Sequence, residues 1–226
     1  MVRLILFDID GTLIRSGGAG VQAFARAFAA EFGIVDGVER LIFAGRTDSG
    51  LAREVFEAQG VPATPENFQR FYDRYMFLLA ERLNHTRGSV LPGVRDFLHQ
   101  LETLPRPPLI GLLTGNIRLG AEIKLRHFGL WGKFHTGGFG DDHEDRNQIA
   151  AIARDRGSRV LGEKLRGEQT VVVGDTPHDV RCGRAIGAKV LAVATGGSKH
   201  KELAAQRPDW LVADLRGLPA AVVCGA

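Results

Sequence analysis

Apolar residues along the chain follow two spacings, and the two are segregated. Short continuous runs over 4–7, 109–113, 170–173, 190–193 and 210–212, each closing shortly afterwards on Gly, Asp or Thr, have the pattern of buried parallel strands. Amphipathic stretches over 94–104, 118–128, 147–156, 178–186 and 201–206 lie between them and predict helices. The segment 134–138 is glycine-rich and reads equally as strand or loop. Strands alternating with helices predict an α/β fold, a doubly wound Rossmann-like parallel sheet whose ligands sit beyond the carboxyl ends of the strands. Residues 16–85 break the alternation. Val21, Phe24, Ala25, Phe28 and Phe32 share one helical face, and Phe68, Phe71, Tyr72, Tyr75 and Leu79 share another, with Gly33, Gly60, Pro62 and Pro65 as punctuation. The expected organisation is therefore an α/β core from 1–15 and 86–226, with a helical cap from 16–85 inserted after the first strand. The linkers at 15–18 and 85–90, carrying Gly17, Gly18 and Gly88, are the expected hinges.

Composition narrows the class. The chain has 226 residues, 44% of them hydrophobic, enough for one domain with an insertion. No window approaches the roughly 18 consecutive apolar residues of a membrane span, and the apolar run behind Met1, Val2 and Arg3 is too short for a signal peptide. A cytoplasmic protein without a membrane partner is expected. Two distant cysteines, Cys182 and Cys224, argue against a disulfide framework. The net charge of +3 comes from interspersed residues, without the basic face of a nucleic-acid binder. Arginine outnumbers lysine 23 to 6, so a cation required by a site is more often arginine. Oligomeric state is left open.

The chemistry concentrates at predicted strand ends. Asp8 and Asp10 follow the first strand in "ILFDIDGTLI", and Asp175 and Asp179 follow another in "VVVGDTPHD". Four carboxylates gathered together repel unless a cation shares the space, and an all-oxygen set suits magnesium. A third strand ends in "LLTGN", offering the Thr114 hydroxyl and the amides of Gly115 and Asn116 to an anion. The same loop and the 176–179 segment also read as plain helix caps. A calcium loop of the EF-hand type is excluded, because its twelfth position holds Ala19 where Glu is needed.

These motifs resemble those of the haloacid dehalogenase superfamily, specifically its helical-cap phosphatases of the phosphoglycolate phosphatase-like kind. "DIDGTL", "LLTGN" and "GDTPHD" match three of that family's four motifs in order, and "CGRAIGAKVLAVATG" is also similar. The resemblance implies a magnesium-dependent phosphatase acting on a small phosphorylated metabolite through an aspartyl-phosphate, with phosphoglycolate a candidate substrate. It makes Asp8 the nucleophile and Asp10 the acid and base. Asp8, the Asp10 carbonyl, Asp175 and Asp179 would be the Mg2+ ligands, Gly11 and Thr12 would shape the loop and bind the substrate's phosphate, and Thr114, Gly115 and Asn116 would hold the phosphoryl group. The family's usual motif-three lysine is absent from "GFGDDHEDRNQIAAIA", where Arg146 stands instead; Lys124, Lys133 and Lys164 are the alternatives. In the cap, "FAGRTDSG" resembles the specificity segment, so Arg46 and Thr47 would meet the substrate. The insertion lacks the lysine of phosphonate-cleaving relatives, and Asp10 distinguishes the chain from dehalogenases. A β-phosphoglucomutase-like mutase, a phospho-accepting switch and a catalytically silent phosphate-binding protein remain as alternatives.

Overall fold

The computed structural model describes residues 1–225. Its first strand, β1 (Leu4–Phe7), is buried on both faces, as expected from four consecutive apolar residues. The chain then forms the short β2 (Ile14–Arg15), three helices α1 (Ala19–Phe32), α2 (Asp48–Ala58) and α3 (Pro65–His85), and β3 (Ser89–Val90). It continues through α4 (Val94–Thr103), β4 (Leu109–Leu113), α5 (Arg118–His127), β5 (Thr136–Gly138), α6 (Arg146–Leu161) and β6 (Thr170–Gly174). The last elements are α7 (Pro177–Ala185), β7 (Lys189–Val193), α8 (His200–Ala205), β8 (Trp210–Val212) and α9 (Ala220–Cys224). Six strands form one sheet in the order β5-β4-β1-β6-β7-β8, and every pairing in it is parallel.

The two-residue period of the strands divides the core into layers. Ile5, Phe7, Leu112, Val171 and Val173 face one layer, completed by Phe97 and Leu101 of α4 and Val223 of α9. Leu4, Leu6, Leu113 and Val172 face the other, against Ile149 and Ala153 of α6 and Cys182 of α7. β1 is central, and its register aligns Phe7 with Leu112 on one side and Val173 on the other. The residues that follow these three positions therefore emerge side by side at one edge of the sheet.

Residues 16–85 hold α1, α2 and α3 around a separate apolar cluster of Phe24, Phe28, Phe56, Phe71 and Tyr75. Phe71 is the hub, with ring centroids 4.8 Å from Phe24 and 4.4 Å from Phe28. Thr64 caps α3 by accepting from the Asn67 amide, with Pro65 at the first helical position. Ile117 of the core packs into the same cluster. The two connections to the insertion meet as an antiparallel ribbon, Ile14 opposite Val90 and Arg15 opposite Ser89.

Several expectations change. The helix expected to stop at 156 runs on to Leu161, because Gly157 lies against Leu4, where a Cβ would come within 2.7 Å of a leucine methyl. Segment 134–138 is an edge strand only from Thr136. Val21, expected in the cap core, is 44% exposed and instead lines the cavity between cap and sheet. The ribbon and α9 were not anticipated, being too short for periodicity to register.

Replacing Phe71 by Ala removes the hub of the cap cluster. It is expected to lower stability by about 3–5 kcal/mol, read from the urea midpoint, because the rings around it cannot collapse into the space.

Candidate active site

Asp8 directly follows β1 and Asp175 directly follows β6, so the β1–β6 register brings them together. Asp179 joins them from the first turn of α7. One oxygen from each of the three carboxylates lies within 4.8 Å of the others, and all three residues are buried. Gly11 permits the approach: its φ is +88°, and a Cβ there would stand 2.5 Å from Asp175 Oδ2.

Each carboxylate is held. Thr12 Oγ1 donates to Asp175 Oδ1 at 3.0 Å. Asp179 Oδ2 accepts from the Thr176 amide at 3.0 Å and the Thr176 hydroxyl at 2.7 Å, closing a capping box at the start of α7. Arg146, the first residue of α6, bridges from Asp179 Oδ1 to Asp8 Oδ1, the latter at 3.3 Å. This explains a cation in a first turn, where the helix dipole disfavours it. Arg146 Nε is buried and has no hydrogen-bond partner among the described residues.

Burial, then the neighbouring Asp179 charge, pushes Asp8 up to about 7 against the pull of Arg146. Burial and the Asp8 and Asp179 charges push Asp175 up to about 8. Burial also pushes Asp10 upward, yet the Lys124 ammonium and hydrogen bonds from Lys124 and Asn116 outweigh it and hold Asp10 below the usual carboxylate range.

Lys124 Nζ, on α5, donates at 2.6 Å to Asp10 Oδ2 and at 2.6 Å to Asn116 Oδ1. Asn116 Nδ2 donates to Asp10 Oδ2 at 3.0 Å and to Thr114 Oγ1 at 2.8 Å. Of the three lysines kept as alternatives to Arg146, Lys124 is thus buried in the site, beside Asp10 and not Asp8. Lys133 pairs with Glu102, and Lys164 is exposed.

These groups open into a cavity of about 400 Å³ beneath the helical insertion, with Phe43, Leu51 and Tyr75 among its walls. The insertion is fastened above it. The Asp48 amide donates to the Gly115 carbonyl at 2.8 Å, and Asp48 Oδ2 accepts from the Ile117 amide at 3.0 Å. Ser49 Oγ donates to the Gly140 carbonyl at 2.5 Å, and Arg53 pairs with Glu144. At Gly115 any Cβ would overlap the Arg46 carbonyl, so only glycine admits this contact. Asp48 and Ser49 were not singled out from sequence; the signal was their place in "FAGRTDSG".

Four expected binding residues have other duties. Thr12 serves Asp175, and the Gly11 amide and carbonyl bond to Ile14 O and Thr195 Oγ1. The Asn116 amide, expected to face an anion, donates to Thr114 Oγ1 at 3.2 Å because the loop turns back on that hydroxyl. Thr47 lies outside the cavity: it caps α2 by accepting from Gly50 and donates to the Glu144 carbonyl. Arg46 does line the cavity and is paired with Glu54 at 2.6 Å.

A model of the haloacid dehalogenase-like hydrolase family matches residues 5–193. The chain belongs to that family, and it is a hydrolase. It is 29% identical over 211 residues to a phosphoglycolate phosphatase of Synechococcus elongatus, covering 93% of this chain and 92% of the relative. It is also 29% identical over 234 residues to a phosphoglycolate phosphatase of Chromobacterium violaceum, covering 96% of each. The crystal structure of CbbY from Rhodobacter sphaeroides in complex with phosphate shares the fold, with TM-score 0.76 and 19% identity over 96% of each chain. No helix among the described residues is long and apolar enough to cross a membrane.

The three-carboxylate group fits a hard divalent cation: all donors are oxygen, and two of the acids are held up by burial and by the neighbouring carboxylate charges, which such an ion would offset. Their ordinary value is 3.8, so both bind protons more tightly folded than unfolded. Their contribution to stability is therefore lost as pH rises from about 4 through about 7 to 8. In chelator, Asp175→Asn is expected to melt several degrees above the parent at about pH 8, a gap that narrows toward about pH 5, as scanning calorimetry would show.

Proposed function

We propose that the protein hydrolyses a small phosphate monoester through an aspartyl-phosphate on Asp8, with magnesium as its cation and 2-phosphoglycolate as the favoured substrate. The observation that carries this reading is the convergence of Asp8, Asp175 and Asp179 opposite Arg146, at a cavity lined by Asp8, Asp175, Arg146, Asp10 and Thr114. The phosphoglycolate phosphatases among its relatives support the substrate.

Asp8, Asp175, Asp179 and the Asp10 carbonyl would hold the ion, which when bound offsets phosphoryl charge and keeps these acids ionised. An Asp8 carboxylate oxygen attacks phosphorus as the bond to the leaving oxygen breaks. Asp10 gives that oxygen its proton. Lys124 and Asn116 hold Asp10 ionised, but a phosphate dianion arriving alongside raises its proton affinity. The alcohol leaves. Asp10, again a carboxylate, takes a proton from water as that water attacks phosphorus, and the Asp8 oxygen departs with its electron pair.

Arg146 balances charge on Asp8 and on the phosphoryl group. The Thr114 hydroxyl oxygen accepts two bonds from Asn116, which leaves its own proton for a phosphoryl oxygen. Residues 16–85 act as a cap that excludes water during attack and opens about the β2–β3 ribbon to release product.

With magnesium, the purified protein is expected to turn over an aryl phosphate repeatedly, with loss of at least about 1,000-fold in Asp8→Asn and complete loss in chelator. A single lasting phosphorylation would mark a switch instead, and no reaction would mark a binder. For specificity, Arg46→Ala is expected to raise KM for phosphoglycolate by about tenfold or more while changing KM for an uncharged-alcohol ester by less than about twofold. Equal effects on both would remove Arg46 from the pocket.

A further inference from the structure

We propose that Lys124 is a positioning residue that selects which oxygen of Asp10 faces the leaving group. This rests on the phosphatase reading above and assigns a role to a cation that neither Arg146 nor the carboxylate cluster accounts for.

The argument starts from a torsional ambiguity. The terminal torsion of an aspartate is broad and two-fold, so a carboxyl group held at one point can exchange its oxygens. Asp10 Oδ2 receives two donors from different elements, Lys124 Nζ at 2.6 Å and Asn116 Nδ2 at 3.0 Å, and is thereby saturated. Oδ1 is the oxygen left for chemistry. The amide of Asn116 has the same ambiguity, since its oxygen and nitrogen ends are nearly the same shape. Lys124 resolves this as well, because an ammonium can only donate and its 2.6 Å bond to Asn116 fixes the oxygen end. The nitrogen end then points at Asp10 and at Thr114 Oγ1, 2.8 Å away. One buried cation thus orients three polar side chains in sequence.

The surroundings keep it in place. The Lys124 side chain is 5% exposed, although it belongs to a helix that flanks the sheet. Helix α1 passes over it at Gly20, where a Cβ would lie 3.3 Å from Nζ and 3.7 Å from Tyr75 Oη. Lys124 is covered by the insertion, so the orientation is complete when the insertion lies down on the core.

Positioning of this kind acts on departure of the leaving group, which kcat/KM reports because it covers steps through the first bond cleavage. A 4-nitrophenolate leaves with little help from an acid, whereas an alkoxide needs the proton. With the magnesium-loaded protein, Lys124→Met is expected to lose at least about tenfold more kcat/KM on a primary alkyl phosphate than on 4-nitrophenyl phosphate. In an Asp10→Asn background the same change is expected to add less than about twofold on either substrate, because its effect passes through Asp10. Equal losses for both leaving groups, no loss, or full multiplicative loss in Asp10→Asn would each overturn the proposal. Melting curves establish folding, and if Lys124→Met does not fold, Lys124→Arg is read by the same criteria, its longer planar fork being unable to reproduce both 2.6 Å bonds. Absence of turnover in the wild-type protein would overturn the phosphatase reading together with this one; turnover with parallel losses overturns this one alone.

Discussion

Like charges forced into proximity govern this molecule. Parallel pairing of β1 with β6 fixes Phe7 beside Val173, and the next residues out of the sheet carry Asp8 and Asp175 to the same place, where Asp179 meets them. Removing three carboxylates from water and stacking them is costly unless each finds a partner. The surrounding sequence supplies those partners: Thr12 for Asp175, Thr176 for Asp179, and Arg146 shared between Asp179 and Asp8. What the protein partners do not offset shows as proton affinities raised well above normal, an imbalance a divalent ion relieves.

A second charge pair stands a few residues away and behaves differently. Asp10 is held ionised by Lys124, so two carboxylates separated by one residue in sequence sit in opposite electrostatic settings. Separation of this sort is how one fold assigns two roles to one residue type. The cation for each comes from a different helix, Arg146 from α6 and Lys124 from α5. The helical insertion completes the setting, with Asp48 and Ser49 bonded to the loops beyond β4 and β5, so that Val21, Phe43, Leu51 and Tyr75 face the polar groups of the core across the cavity.

Much of this was legible in the residues, and the losses have physical causes. Strand runs such as 170–173 announce themselves because burial on both faces demands unbroken apolar sequence, and the observed strand adds only Gly174. Helix ends were less legible: Gly157 reads as a stop, yet here it is the residue that lets α6 lie against Leu4. The convergence of Asp8, Asp175 and Asp179 was readable from their motifs at strand ends, and the position of Arg146 beside them from its place in a motif where a cation was missing. Lys124 was not assigned its place, because the Lys124–Asp10 pair joins residues 114 apart and nothing local marks it. Thr47 shows the reverse difficulty. A threonine at a helix start is as well suited to capping as to binding, and the cap took it.

The β2–β3 ribbon carries a consequence for how the chain finds this structure. Its strands bring Arg15 opposite Ser89, so the insertion leaves the core and returns at nearly one point. From the standpoint of the sheet, the whole excursion is equivalent to a hairpin. Contacts between β1 and the elements after β3 consequently carry a far smaller loop-closure penalty once the ribbon has zipped than their sequence separation implies. The aromatic cluster around Phe71 can condense on its own meanwhile. Joined to the sheet through a four-residue zipper, the cluster can be repacked while the strands keep their register.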